Sequence, residues 1–346
     1  MSLHRAPVSF FAHAGRLATL APIVVVTLEL NGVADAPAFM VKEGARIQRT
    51  IEMTGKRELS KVHVQAGEES RDFPGGTLSL ALSSKLVVTD EYDAIKDGKI
   101  KKLTRSFDTL EKSRTETSQN AKGEKQTREL PEKCDLDGKT VVFSWNAEKK
   151  EYDVKPKDEG VDAKLCADLD VDMDYRAFLP EADAAVGAKW EGDLADLKLA
   201  LLRPGGDLPF HGEKEATTMD LRMRATVWDN TKGKVAFELK ATREEDGKKI
   251  APIAFSGTLE VDAETEREGD EKGPSKLHVH DTEKFEGELA WDLEAGRPVA
   301  LKWSSSGEMA LTISAPAKTK EGEDIVVDQT LTFDVEYEYT GAFEAK

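Results

Sequence analysis

The chain has 346 residues, with 66 Asp or Glu against 49 Lys or Arg, for a formal net charge of −17. Hydrophobic residues make up 39%, enough for a packed core, and the charged 33% are mixed in sign along the chain, which excludes a wholly disordered polymer. So acidic a chain repels nucleic-acid phosphates, and its length fits one or two domains.

Residues 1–16 carry His4, Arg5 and Arg16 and no acid, and the uncharged run from Leu17 to Leu28 ends at Glu29. This is the pattern of a secretory signal peptide over residues 1–38; the apolar run is shorter than the roughly 20 residues a membrane span needs. Small residues at Gly32, Ala34, Ala36 and Ala38 offer cleavage after Ala34 or after Ala38, and the expected mature start lies near Phe39. The alternative is an uncleaved N-terminal anchor. With cleavage the protein is exported, periplasmic or extracellular, without a transmembrane span, and no Cys follows the apolar run to carry a lipid.

A β-rich N-terminal half is expected over 39–160. Ile47–Met53, Leu59–Val64, Leu78–Tyr92, Lys99–Phe107 and Thr140–Trp145 read as strands, with turns at Asp97-Gly98 and Asp137-Gly138. Residues 111–129 lack apolar periodicity and read as a long solvated loop or hairpin tip. Lys96, Lys99, Lys101, Lys102 and Arg105 form a basic island suited to an anionic partner or to solvent. Cys134 and Cys166 are either one disulfide of an oxidising compartment or two free thiols.

A connector follows over 161–216. Asp168, Asp170, Asp172 and Asp174 alternate as they would along a strand edge, and the mutual repulsion of like charges offers a weak Ca²⁺ site; an EF-hand fails, because Tyr175 stands where that loop needs Gly. The chain's clear helix signal comes next: Asp193 in N-cap position, Leu194, Leu197 and Leu201 on one face, and Arg203-Pro204-Gly205-Gly206 as the stop. His211 follows on a loop, with nothing beside it to complete a catalytic triad.

From 217 to 346 the sequence predicts about six antiparallel strands in a meander. Between Ile325 and Phe343 the odd positions are mostly apolar and the even ones polar, and the same parity runs through Phe285–Leu293 and Val299–Ile313 around a turn at 294–297. Further strands are read at Met219–Val227, Val235–Leu239 and Ile253–Val261. Runs of this length require twist or bulges, and Gly257, Gly287, Gly307 and Gly341 on the dry parity favour bending. His278 and His280 share the wet face, and a Zn²⁺ there would need a third ligand from another strand.

The expected fold is therefore mainly β: long-stranded antiparallel meanders forming curved sheets, sandwich or half-barrel-like, with one short helix between two β-rich halves. One helix cannot cover so much apolar sheet, so the dry faces either bury each other or enclose a guest. Leu289, Trp291, Trp303 and Phe333 are the residues expected to line such a space. No Gly-x-Ser-x-Gly, His-Glu-x-x-His, phosphate loop or dinucleotide fingerprint occurs.

The stretch from Tyr92 to Asp108 (YDAIKDGKIKKLTRSFD), with Phe178-Leu179-Pro180 and Val186-Gly187-Ala188-Lys189-Trp190, resembles uncharacterised exported bacterial β-rich proteins of unknown function. The resemblance covers about a third of the chain; it implies an envelope location and supplies no active site. The long-stranded pattern is also similar to lipoprotein-carrier half-barrels. The function expected is a non-enzymatic exported protein that binds a hydrophobic or amphiphilic ligand, such as a lipid, or a partner segment. The alternatives are a structural or adhesive module contacting a cell-envelope component, and a polysaccharide-active hydrolase.

Overall fold

A computed structural model describes residues 36–74, 78–119, 123–212, 225–267, 275–319 and 322–346. Fifteen strands run in chain order: β1 (Arg46–Ala66), β2 (Glu69–Pro74), β3 (Ser79–Lys96), β4 (Lys99–Gln119), β5 (Lys125–Cys134), β6 (Thr140–Asn146), β7 (Glu151–Pro156), β8 (Lys189–Asp193), β9 (Phe210–His211), β10 (Thr231–Leu239), β11 (Arg243–Glu245), β12 (Lys248–Arg267), β13 (Ser275–Asp292), β14 (Arg297–Lys318) and β15 (Asp324–Ala345). A short helix, α1, spans Leu194–Leu202. Every strand pairing is antiparallel, and the main path runs β7-β6-β4-β3-β1-β15-β14-β13-β12-β10-β8 without closing on itself.

The two halves are joined by their termini. β1 pairs with β15 from Ile47↔Ala345 to Ala66↔Val327, so the expected pair of sheets is a single continuous one. Ile47–Met53 and Leu59–Val64, which look like two strands in the sequence, are parts of β1, which bulges between Leu59 and Lys61. At 22 residues, β14 and β15 each reach about 70 Å at roughly 3.3 Å per residue. The turns form as expected at Asp97-Gly98, both in the left-handed region, and at 293–296.

Of the two readings of 111–129 the hairpin forms: 111–119 continue β4 and pair with β5 from Lys112↔Glu132 to Gln119↔Lys125. Met219, Leu221 and Met223 lie outside the described residues, whereas 225–229, including Val227, are helical instead of extended. Asp193 occupies the N-cap of α1, but its side chain bonds no helix N–H and pairs with Lys234 instead.

One face of the sheet, here the inner face, carries the odd positions of β12 to β15 and the residues paired with them. Over the lower half of that face lies the connector 157–188, together with α1. Tyr175 packs edge-on against Phe343 and shares a hydroxyl hydrogen bond of 2.9 Å with Tyr339, while Phe178 packs edge-on against Phe237 and Phe255. The dry face is thus sheltered largely by irregular chain, a cover that hydrophobic periodicity cannot reveal.

Inner-face charges tether this cover. Arg49 and Arg105, both fully buried, share Asp90 at 2.6 and 2.7 Å. Their remaining N–H groups donate to the carbonyls of Met173, Asp170 and Val171 in the connector. Burial works against the Asp90 carboxylate, but the two guanidinium groups outweigh it and hold its pKa below the ordinary value. Arg105 therefore belongs to the core and not to a basic surface island.

Glycines on the inner face receive aromatic rings. Tyr337 lies over Gly55, and a Cβ on Gly287 would come within 2.5 Å of Phe255 Cζ and Trp303 Cβ. Such rings fill the space over a bare backbone and let the sheet curve tightly around its cover.

Candidate functional site

Beyond the connector the inner face stays partly open. A groove of about 480 Å³ runs between β1, β3, β4, β5 and β15 on one side and residues 202–210 on the other. Cross-strand register builds it: Met53 stands opposite Ser84 and Tyr339, Gly55 opposite Leu82 and Tyr337, and Arg57 opposite Leu80 and Val335. Its apolar wall comprises Ile51, Met53, Leu80, Leu82 and Leu86, faced by Leu202 at the end of α1 and Leu208 from the segment after it. Leu80 and Leu82 are half-buried, so their outer surfaces still face solvent. The stop sequence after the helix shapes the opposite wall: Gly206 has φ of 97° and its backbone lies against Leu169, a close approach that a side chain would block.

A second, polar wall comes from β4 and β5. Lys112 pairs with Glu132 at 2.9 Å, and Arg114 stands one inner-face position further along β4, opposite Leu130. These charges occupy the inward positions where apolar residues would otherwise alternate. In the middle of the face, Arg57 Nε donates to the Tyr337 hydroxyl at 2.7 Å and makes no ion pair among the described residues. Further across the same face are Asp281 and Glu283 on β13; Glu283 is buried and pairs in register with Gly307, where the backbone of β13 comes too close for a side chain.

Both acids are shifted. Burial, reinforced by Glu283 and opposed by Arg57, pushes the Asp281 carboxyl up to about 7. Burial also raises Glu283, against the hydroxyl bond that Ser305 donates at 2.5 Å and the pull of Arg57. Asp281 Oδ1 is buried with no hydrogen-bond partner. Asp281 points to the opposite side of β13 from His278 and His280, and its register with Val261 and Met309 puts it on the dry face.

The residues expected to line a ligand space are all buried by the protein itself. Leu289 and Trp291 are completely enclosed, and the Trp291 indole N–H donates to the Ala38 carbonyl at 3.2 Å. Trp303 stacks on Tyr339 and borders a hollow of about 10 Å³ beside Leu201 and Leu202 as well as a broader hollow of about 800 Å³ over the middle strands. Phe333 is buried in the row of Leu59 and Met309, next to the Arg57–Val335 row. None of the four lines the groove. Arg57, Leu80, Leu82 and Tyr337 do, and the signal for them was the register of β1 with its two neighbours, which no single-strand pattern contains.

The metal candidates are likewise placed elsewhere. His278 lies on the outer face, 2.6 Å from Asp262, with His280 on the same side opposite Asp262. Asp168 to Asp174 lie in the irregular connector, not along a strand: Asp170 and Asp172 accept the N–H groups of Asp172 and Asp174, and Asp174 pairs with Arg176 at 2.7 Å. Among the described residues no group of three or more His, Cys, Asp or Glu is arranged to hold a metal ion. Cys134 and Cys166 are buried free thiols, and burial raises the Cys134 pKa to about 11. His211 is exposed beside Asp135 at 3.2 Å.

Broader hollows of about 650 and 800 Å³ lie over the middle strands and are lined mainly by outer-face side chains such as Lys56, Lys284, Glu286, Ser304, Glu336 and Glu338. This is the hydrated side of the alternation, without a continuous apolar wall. No helix among the described residues is long and apolar enough to cross a membrane.

No family model matches the chain, and no curated protein matches it. Among solved structures, a Pseudomonas aeruginosa FadL homologue aligns over 90% of this chain and 93% of its own at 7% identity and a TM-score of 0.19. Acinetobacter baumannii OccAB2 aligns over 86% and 98% at 7% identity, and Pseudomonas aeruginosa OpdL over 86% and 99% at 9%, both with a TM-score of 0.11. Scores this low carry no argument about fold or function.

Proposed function

We propose that this is an exported, non-enzymatic β protein that holds an amphiphile in the groove of its inner face, with the hydrocarbon against Ile51, Met53, Leu80, Leu82 and Leu86. The observation that carries this reading is the half-covered dry face: the connector seals its lower part, while the next rows remain apolar, concave and reachable from solvent. A groove of this volume suits a single chain of lipid size, and burying its apolar carbon against the wall supplies about 25 cal/mol per Å² removed from water.

Native mass spectrometry of protein purified without detergent tests this. The expected result is an adduct of a few hundred daltons or more that is lost on organic extraction and absent from Leu82→Glu. A clean apo mass, with no uptake of added lipid, overturns the reading and moves weight to a structural envelope module.

A further inference from the structure

We propose that the head of the bound amphiphile is anionic, a carboxylate or a phosphate monoester, and that Arg57 is its ligand. This deepens the groove reading and rests on it.

The argument starts from charge. In a chain of net charge −17, the groove has the opposite balance. Its charged lining is Arg57, Lys112, Arg114 and Arg203 against Glu132 and Asp207. Lys112 is matched by Glu132 at 2.9 Å, Arg203 by Asp207 at 3.1 Å, and Arg114 only loosely by Glu116 at 3.6 Å. Arg57 has no carboxylate within ion-pair distance among the described residues, and its one hydrogen bond uses Nε, directed to neutral Tyr337. The outer two nitrogens of the guanidinium form a fork suited to two oxygens of one anion. Arg57 also stands beside the apolar rows and between two aligned neighbours, Leu80 and Val335, so an anion on it places a tail along Leu82 and Met53.

The groups nearest to Arg57 define a second signature. Asp281 and Glu283 of β13 and Tyr337 of β15 all feel its charge, while Lys112, Arg114 and Glu132 face the groove from β4 and β5 and Arg203 and Asp207 from the segment after α1. An anion seated on Arg57 competes with the two acids for the same positive charge. Its binding therefore favours their protonated forms, and affinity for an anion must rise as pH falls through the range where Asp281 titrates. A cationic head would show the opposite slope.

Titration calorimetry of the purified protein with dodecanoate, dodecyl phosphate, dodecanol and dodecyltrimethylammonium, each below its micelle concentration, at pH 6 and pH 8 decides this. Both anions are expected to bind at least tenfold more tightly than the alcohol or the ammonium, and dodecanoate, which stays ionised at both pH values, more tightly at pH 6. Dodecanoate against dodecyl phosphate separates a fatty-acid source from a phospholipid-like one. Arg57→Gln should bring the affinity for both anions down to that for dodecanol, Arg57→Lys should restore part of the preference, and unchanged circular dichroism shows that the variants fold. Equal affinities for all four probes, or an anion preference that survives Arg57→Gln, overturns the assignment of the head while the groove stands. Failure of every probe to bind overturns the groove reading itself.

Discussion

Arg105 meets Asp90 in a two-point contact, Nε to Oδ1 at 2.7 Å and Nη2 to Oδ2 at 2.9 Å, and the same guanidinium reaches the carbonyls of Asp170 and Val171. One side chain thereby fastens the irregular cover to the sheet. Replacing Asp90 with Ala leaves Arg49 and Arg105 buried without a counter-charge, an expected loss of about 3–5 kcal/mol in urea unfolding. Proteolysis within 161–188 should accelerate at the same time. Because the folded pKa of Asp90 is depressed, its contribution is complete above the unfolded value near 4 and fades as pH drops toward the folded one. A variant as stable as the parent at pH 7 would show that the network does not hold the cover.

Asp281 has the opposite sign. Its folded pKa of about 7 exceeds the unfolded value of about 3.9, so the folded state binds more protons between those limits, and stability is lost as pH rises through them. Asp281→Asn keeps the shape without the charge. It should match the parent at pH 4 and exceed it at pH 8 by on the order of 1–3 kcal/mol. Parallel stability curves from pH 4 to 8.5 would refute the burial of this carboxyl.

Gly55 leaves room for the Tyr337 ring, and Tyr337 is the hydrogen-bond partner of Arg57. Gly55→Val must displace that ring, with an expected cost of about 1–3 kcal/mol from overpacking. Anion affinity should fall with it, since Arg57 loses its support. Retained stability together with retained affinity would contradict the described contact.

The N-terminal segment makes a further prediction about processing. Ala38 accepts the buried Trp291 N–H, and the Met40 N–H donates to Gly296 at 2.9 Å. Cleavage after Ala38 would discard that acceptor amide, at a cost of about 1–3 kcal/mol for an unsatisfied buried donor. Cleavage after Ala34 keeps it. If residues 1–34 serve as an export signal, N-terminal sequencing of the processed protein should therefore find Asp35 first, and a start at Phe39 would count against this packing.

Much of the sheet was legible because its inner face is apolar and period two survives in β13, β14 and β15. Where the inner face turns polar, the signal vanished. Lys112, Arg114 and Glu116 face inward on β4, which erased the alternation and left 111–119 readable as loop or hairpin tip alike. The same inward charges form the polar wall of the groove, so the stretch that looked least structured carries part of the candidate site. Asp281 and Glu283 gave no signal as site residues for a related reason: acids on the dry parity break the pattern that identifies it. Aromatic size was equally ambiguous, since it fits packing as well as a ligand wall, and Trp291 and Trp303 are buried residues stacked or bonded within the protein. The connector was beyond reach, because its burial depends on Tyr175, Phe178 and backbone carbonyls meeting strands far away in sequence.

Photo-crosslinking with a dodecanoate that carries a diazirine near the end of its tail tests the central claim most directly. Peptide mapping is expected to place the label on Met53, Leu80, Leu82 or residues 202–208, with labelling suppressed by excess dodecanoate. Label confined to the outer face of β13 to β15, or spread over the surface and insensitive to competitor, would contradict an amphiphile held on the inner face.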